Sequence, residues 1–281
     1  MAAGGHSFPG KIYTFAPLSP PPLPPLPPPS FSPGPIASIG GDPHVRGAHG
    51  DTLDFKGTNG GIYNLLSTRD LSLAVRFEHA RFRTPFSKLD VDGSWIRGAF
   101  WTVRTARGRL LTTRLDARKP NFNGSIERRT TTIDDVRFNF APPKGPMRGA
   151  FTVRTATWRT RATVTKGPPH WGILRMDVEV QPLYDTMTDV VAPHGLLGQT
   201  YDGDRRPIHG KRDRYNILDN GQPTATRTGV GGLVTTRAQG EGAIEGRAEM
   251  YRVVRPFDTA FAFSRFGARS AAPRNISGMR G

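Results

Sequence analysis

Between residues 71 and 78 apolar and polar side chains alternate, with Leu71, Leu73, Val75 and Phe77 on one side and Ser72, Ala74, Arg76 and Glu78 on the other. Successive strand side chains point to opposite faces, so this period of two marks a strand with one buried face. The same texture recurs in "DTLDFKG", "GIYNLLS", "RGAFWTVRTARG", "TTTIDDVRFNFAP", "GAFTVRTATWRTRATVTKG", "GILRMDVEVQPLY" and "AEMYRVVRP". Gly, Pro, Asn and Asp separate the runs at distances typical of sandwiches and barrels. The pattern predicts an all-β chain, an antiparallel β-sandwich or barrel-like domain. "GVGGLVTT" (229–236) lacks the lysine of a phosphate loop and reads as a flexible hairpin. A near-repeat, Arg97 to Ala106 against Arg148 to Ala156, reads as two similar amphipathic strands, too short to signal a solenoid.

Composition agrees. In 281 residues, Gly 33 and Pro 26 together exceed a fifth of the chain, which favours short strands and many turns over a helical bundle. "APLSPPPLPPLPPPSFSPGP" (16–35) has no donor at most positions and predicts an extended polyproline II segment, rising about 3.1 Å per residue. The predicted organisation is a disordered Pro-rich segment (1–39), a β domain (40–267) and a disordered tail (268–281). The proline run is a spacer or an SH3/WW ligand, and in composition it resembles hydroxyproline-rich wall glycoproteins. No apolar run approaches the ~20 residues of a membrane span. Residues 1–19 lack the apolar core of a signal peptide, so the chain is expected to be intracellular or to start inside a longer precursor.

The formal charge is +16, carried largely by arginine, and points to anionic partners: nucleic acid, an anionic membrane surface or acidic polysaccharide. The arginines come in ones and twos, never as a basic arm. Phe100 and Arg104 share a strand face that could stack and pair with a single strand, but Trp101 with Val103 reads better as the core face, and nucleic acid is not the favoured partner. With no cysteine, structural disulfides, thiolate metal sites and cysteine nucleophiles are excluded.

The densest chemistry is "GGDPHVRGAHGDTLDFKGTNGGIYNL" (40–65), with Asp42, His44, His49, Asp51 and Asp54 among glycines. On a strand Asp51 and Asp54 face opposite ways, and the histidines lack the helical i, i+4 spacing of zinc hydrolases. Turn chemistry is the better account. No nucleophile elbow is present, and Asp134–Asp135 and Asp202/Asp204 read as solvated loop acids. Asn123 and Asn275 open Asn-x-Ser sequons that matter only in a secretory pathway.

"GDPHVRGAHGDTLDFKG" followed by "YNLLS" resembles the opening of a von Willebrand factor type D domain, and "HGLLGQTYDGD" (194–204) resembles that family's second block, with Leu197 at a cysteine position. With "PFDTAFAFSRF" (256–266), the chain is most similar to the cysteine-poor plant and algal root-cap, late-embryogenesis-like relatives. The resemblance spans about residues 40 to 267. It implies a β-rich, extracellular or wall-associated structural or adhesive module without enzymatic activity. It also implies a calcium site on His49, Gln199 and Asp202, with Asp51 and Asp204 as substitute carboxylates. Imidazole suits a hard cation poorly, so the expectation is a fold retained with its ion site altered or lost. Acidic polysaccharide or anionic extracellular proteins are the expected partners. The alternative is an intracellular adaptor with an SH3/WW-binding proline run and weak nucleic-acid binding.

Overall fold

The computed structural model describes residues 33–83, 89–118, 130–166, 174–184, 191–213, 218–219, 222–223 and 233–268. Residues 1–32, most of the proline run, lie outside them, as do Asn123, Asn275 and the tail from 269.

The described chain is β structure with no α-helix among these residues. Its strands are β1 (Ala37–Gly40), β2 (His44–Arg46), β3 (Thr52–Asp54), β4 (Ile62–Ser67), β5 (Leu71–Arg83), β6 (Asp90–Arg104), β7 (Leu110–Asp116), β8 (Thr130–Ile133), β9 (Val136–Ala141), β10 (Met147–Arg154), β11 (Trp158–Lys166) and β12 (Leu174–Pro182). A two-residue pair, β13 (Leu218–Asp219) with β14 (Gln222–Pro223), then β15 (Leu233–Thr235) and β16 (Arg252–Val253), completes the set. The main sheet runs β16-β4-β5-β6-β12-β11-β10-β9-β8 and does not close; β1 joins β12 to β2, and β2 leads to β3. Thus the sheet begins at Ala37, ahead of the expected domain start at 40, and Gly34 N–H already bonds Pro182 O at 3.1 Å.

β6 sets the shape. Its free edge is shared by β7 at Gly98–Arg104, by β12 at the single pair Ile96–Met176, and by β15, in parallel, at Asp90–Asp92. Arg97 is the extra residue of a bulge between the Phe77–Ile96 and Arg76–Gly98 pairs, and bulges bend and twist a strand where it changes partner. Beyond that corner the two halves of the sheet face each other. Trp101 on β6 meets Phe151 on β10 edge-on at 5.2 Å, and its indole N–H donates to Thr160 Oγ1 on β11 at 2.9 Å. This sandwich-like core holds Leu73, Val75, Phe77, Val153, Val178 and Leu197, all fully buried. The near-repeat lands here as similar strands, with Trp101 and Phe151 each four residues before a turn threonine, Thr105 and Thr155.

Some elements differ from the sequence pattern. "TTTIDDVRFNFAP" and "GAFTVRTATWRTRATVTKG" are each a hairpin rather than one strand, because Asp134 takes φ 54° in the first and Thr155 Oγ1 accepts from Thr157 N–H and Trp158 N–H in the second. "AEMYRVVRP" is a 3-10 turn, Ala248–Tyr251, followed by the two residues of β16. Within "GVGGLVTT", Leu233–Thr235 is a parallel edge strand rather than an arm of a hairpin.

The alternation in β5 also carries a surprise. Ser72 and Ala74, on the predicted outer face, are buried. The C-terminal segment crosses that face: Val253, Phe257 and Phe261 pack with Ile62, Ala74 and Phe100 in a second apolar layer.

Candidate functional site

The aspartates of the opening stretch hold the backbone of distant segments. Asp42 Oδ1 accepts from Ser94 N–H at 2.8 Å, Asp51 Oδ1 from Ile208 N–H at 2.9 Å, and Asp54 Oδ2 from Asp213 N–H at 2.7 Å. The chain of ties continues, since Asp213 accepts from Arg237 N–H at 2.9 Å and Ala238 N–H at 3.1 Å. All three opening aspartates are buried, and each such charge-assisted bond satisfies a backbone amide, that of Ser94 on β6 and those of Ile208 and Asp213 in loops. Two glycines make room for them. A Cβ on Gly47 would sit 2.2 Å from Asp51 Oδ2, and one on Gly93 2.2 Å from Asp42 Oδ1. Asp54 also pairs with His44 Nδ1 at 2.7 Å, and this hydrogen bond raises the His44 pKa above its ordinary value.

The two blocks of the resemblance come together. Ala48 N–H donates to Thr200 Oγ1 at 3.0 Å across 152 residues, and Thr52 bridges His209 in parallel. The segment from His194 runs along β4: Ser67 exchanges two backbone bonds with His194, and Leu196 and Leu197 N–H bond Asn64 O and Leu65 O at 3.0 and 2.9 Å. Gly195, at φ 104°, lies against the Leu65 backbone, where a Cβ would come within 2.6 Å of the carbonyl carbon. Leu197 is fully buried in the core.

The implied calcium residues do not assemble into a ligand set. Gln199 Oε1 accepts from Glu245 N–H at 2.9 Å and from the Tyr251 hydroxyl at 2.8 Å, which turns it toward the C-terminal segment. Asp202 Oδ1 accepts from Asp204 N–H at 3.1 Å and Asp204 Oδ1 from Arg206 N–H at 2.8 Å; both are exposed and cap their own loop. His49 is half-buried in the turn beside Thr200. Among the described residues no three His, Asp or Glu side chains converge on a point suited to a metal ion.

Other candidates are likewise occupied. Asp134 pairs with Arg109 Nη2 at 2.6 Å and Nε at 2.9 Å, which holds its carboxyl below the usual range, whereas Asp135 accepts from Ala106 N–H at 2.8 Å. These acids join the β8–β9 turn to the β6–β7 turn. Phe100 is covered by Phe257, edge-on at 5.7 Å, and Arg104 lies over the Phe266 ring at 5.3 Å, so their shared face is taken by the chain's own C-terminal segment.

Sequence reasoning missed His194. It is buried, stacked on Phe263 at 4.4 Å, and bonded through Nε2 to Glu245 Oε2 at 2.9 Å while Gly195 N–H donates to Nδ1 at 2.8 Å. That arrangement defines the neutral Nε2–H tautomer, and burial lowers the His194 pKa. Thr200 and Asp213 were missed as well; neither carries a signal beyond being a small polar residue in a loop.

The chain matches no protein-family model, and a search of curated proteins returns no relative. No helix among the described residues is long and apolar enough to cross a membrane.

Proposed function

We propose that the protein is a non-enzymatic, secreted or wall-associated structural or adhesive module of the von Willebrand type D-like kind, and that it binds acidic polysaccharide. The observation that carries this reading is the use made of the motif side chains. Asp42, Asp51, Asp54 and Gln199 each accept from backbone amides of distant segments, so the two motif blocks tie separate parts of the fold together. The Ala48–Thr200 contact supports the family likeness, because it joins the two blocks on which that likeness rests. The formal charge of +16 supports a polyanionic partner, whose binding weakens as salt rises.

The full-length chain applied to immobilised polygalacturonate tests the binding half of the proposal. Retention that falls between low and physiological salt is expected, and elution with the unbound fraction at low salt overturns it. Localisation of the tagged full-length product tests the other half: wall or medium is expected, and a cytoplasmic or nuclear distribution favours the adaptor reading.

A further inference from the structure

The charge is not evenly used. Strands β9, β10 and β11 bury Phe138, Phe151, Val153, Trp158 and Ala162 on one face. The residues between them form the opposite face, and strand register fixes which ones are neighbours. Arg137 pairs with Arg154, and Arg154 with Arg159, so three arginines stand side by side across three strands. Arg161 lies one row away, opposite Thr152, which in turn pairs with Asn139.

None of these four arginines makes an ion pair with another described residue. Arg159 Nη1 reaches only Gln181 Oε1 at 3.5 Å, and Arg161 Nε only Thr163 Oγ1 at 3.3 Å. Elsewhere acids are spent on arginines: Glu78 alone meets Arg76, Arg97 and Arg118, and Asp134 meets Arg107 and Arg109. On the arginine face Asp177 is taken by Gly41 N–H, Thr165 and Arg175, and Glu179, opposite Arg161 in register, is exposed and forms no ion pair with a described residue. Like charges directly opposite on neighbouring strands destabilise a sheet, so the row costs stability that a bound anion would recover.

The geometry points to this face, centred on Arg137, Arg154 and Arg159, as the docking surface for an extended acidic polysaccharide lying across the strands. Neighbouring strands are about 4.8 Å apart, which presents a ladder of forked guanidinium donors to carboxylate or sulfate groups, each a bidentate partner for arginine. Asn139, Thr152 and Gln181 add amide and hydroxyl groups suited to sugar hydroxyls, and the row leads into a shallow depression lined by Ile36, Arg159, Arg161, Glu179 and Gln181. The strand residues of this face include no aromatic side chain, whereas single-stranded nucleic acid is held by stacking platforms. The chain's own termini are poor competitors: residues 1–32 and 269–281 contain no Asp or Glu.

This inference rests on the polysaccharide-binding reading and locates it. The test compares the full-length chain, a face variant (Arg137→Gln, Arg154→Gln, Arg159→Gln) and a control of equal charge change on exposed arginines elsewhere (Arg206→Gln, Arg237→Gln, Arg252→Gln). Each is titrated with polygalacturonate, dextran sulfate, neutral dextran and single-stranded oligothymidylate. The face variant is expected to lose about tenfold or more in affinity for both acidic polymers, while the control stays within about twofold. Equal losses in the two variants overturn the face and leave diffuse charge as the cause. Failure of the unmodified chain to bind either acidic polymer overturns the parent reading instead. Tighter binding of oligothymidylate than of polygalacturonate, lost in the face variant, assigns the face to nucleic acid and overturns the proposal. Thermal unfolding monitors integrity; should the triple variant unfold, Arg154→Gln alone carries the comparison, with about threefold expected and no change overturning it.

Discussion

Asp51 accepts a hydrogen bond from the backbone of Ile208, 157 residues further along the chain, while its second oxygen lies where a side chain at position 47 would be. That oxygen is buried without a hydrogen-bond partner among the described residues, and a Cβ at position 47 would come within 2.2 Å of it. Residues that sequence inspection offers as candidate chemistry are here a mechanical fit between a carboxylate and a missing Cβ.

The fit predicts coupling between the two positions. Asp51→Ala should cost about 1–3 kcal/mol by orphaning the Ile208 amide. Gly47→Ala should cost a similar amount through overpacking, reduced but not abolished in the Asp51→Ala background, where the carboxylate is gone while the Cβ at 51 still lies 2.6 Å from the new methyl. Urea unfolding of the two single variants and the double variant measures the difference; strictly additive costs would show that the contact does not matter.

Phe257 combines a covering role with a strained backbone. Its φ is 73°, its ring meets Phe100, and its carbonyl accepts from Thr102 Oγ1 at 2.9 Å. Phe257→Ala loses the ring and keeps the strain, whereas Phe257→Gly loses the ring and sheds it. Glycine should therefore be the milder change by about 1 kcal/mol, the reverse of its usual rank against alanine. Thermal unfolding midpoints decide the order.

Two histidines give stability a pH dependence with opposite arms. His44 faces Asp54, Asp42 and Arg212, and its raised pKa supplies stability that is present below 6.5 and lost as pH rises through the folded value. His194 faces Glu245 and Arg265, and its pKa is lowered by burial; the unfolded chain takes up the proton first, so stability falls as pH drops below 6.5. From these two groups a maximum near the ordinary histidine pKa is expected. His44→Gln should flatten the alkaline arm and His194→Gln the acid arm in urea midpoints measured from pH 5 to 8.

Trp101 has one buried polar atom, and Thr160 satisfies it. Thr160→Val keeps the shape and orphans the indole N–H, at a cost of about 1–3 kcal/mol. Calorimetry should find that cost reduced when Trp101→Phe is already in place, since no donor is then left unpaired.

Alternation along 71–77 was enough to place Leu71, Leu73, Val75 and Phe77 in the core, and Trp101 with Val103 followed by the same reasoning. The outer face was another matter. Ser72 and Ala74 look solvent-facing in sequence because the residues that cover their face, Val253 and Phe257, lie more than a hundred positions away. The turn residues Asp134 and Thr155 were legible as polar positions, but their power to split a long alternating run into a hairpin depended on local backbone geometry.

The sequence by itself determined the β class, the inner face of the long strands, the absence of thiol chemistry and the strong positive charge, because each follows from local periodicity or from counting. The tertiary structure decided which side chains meet. It set Asp51 against Gly47, turned Gln199 toward Tyr251, and lined Arg137, Arg154 and Arg159 into one row, since strand register, and not spacing along the chain, fixes which residues become neighbours.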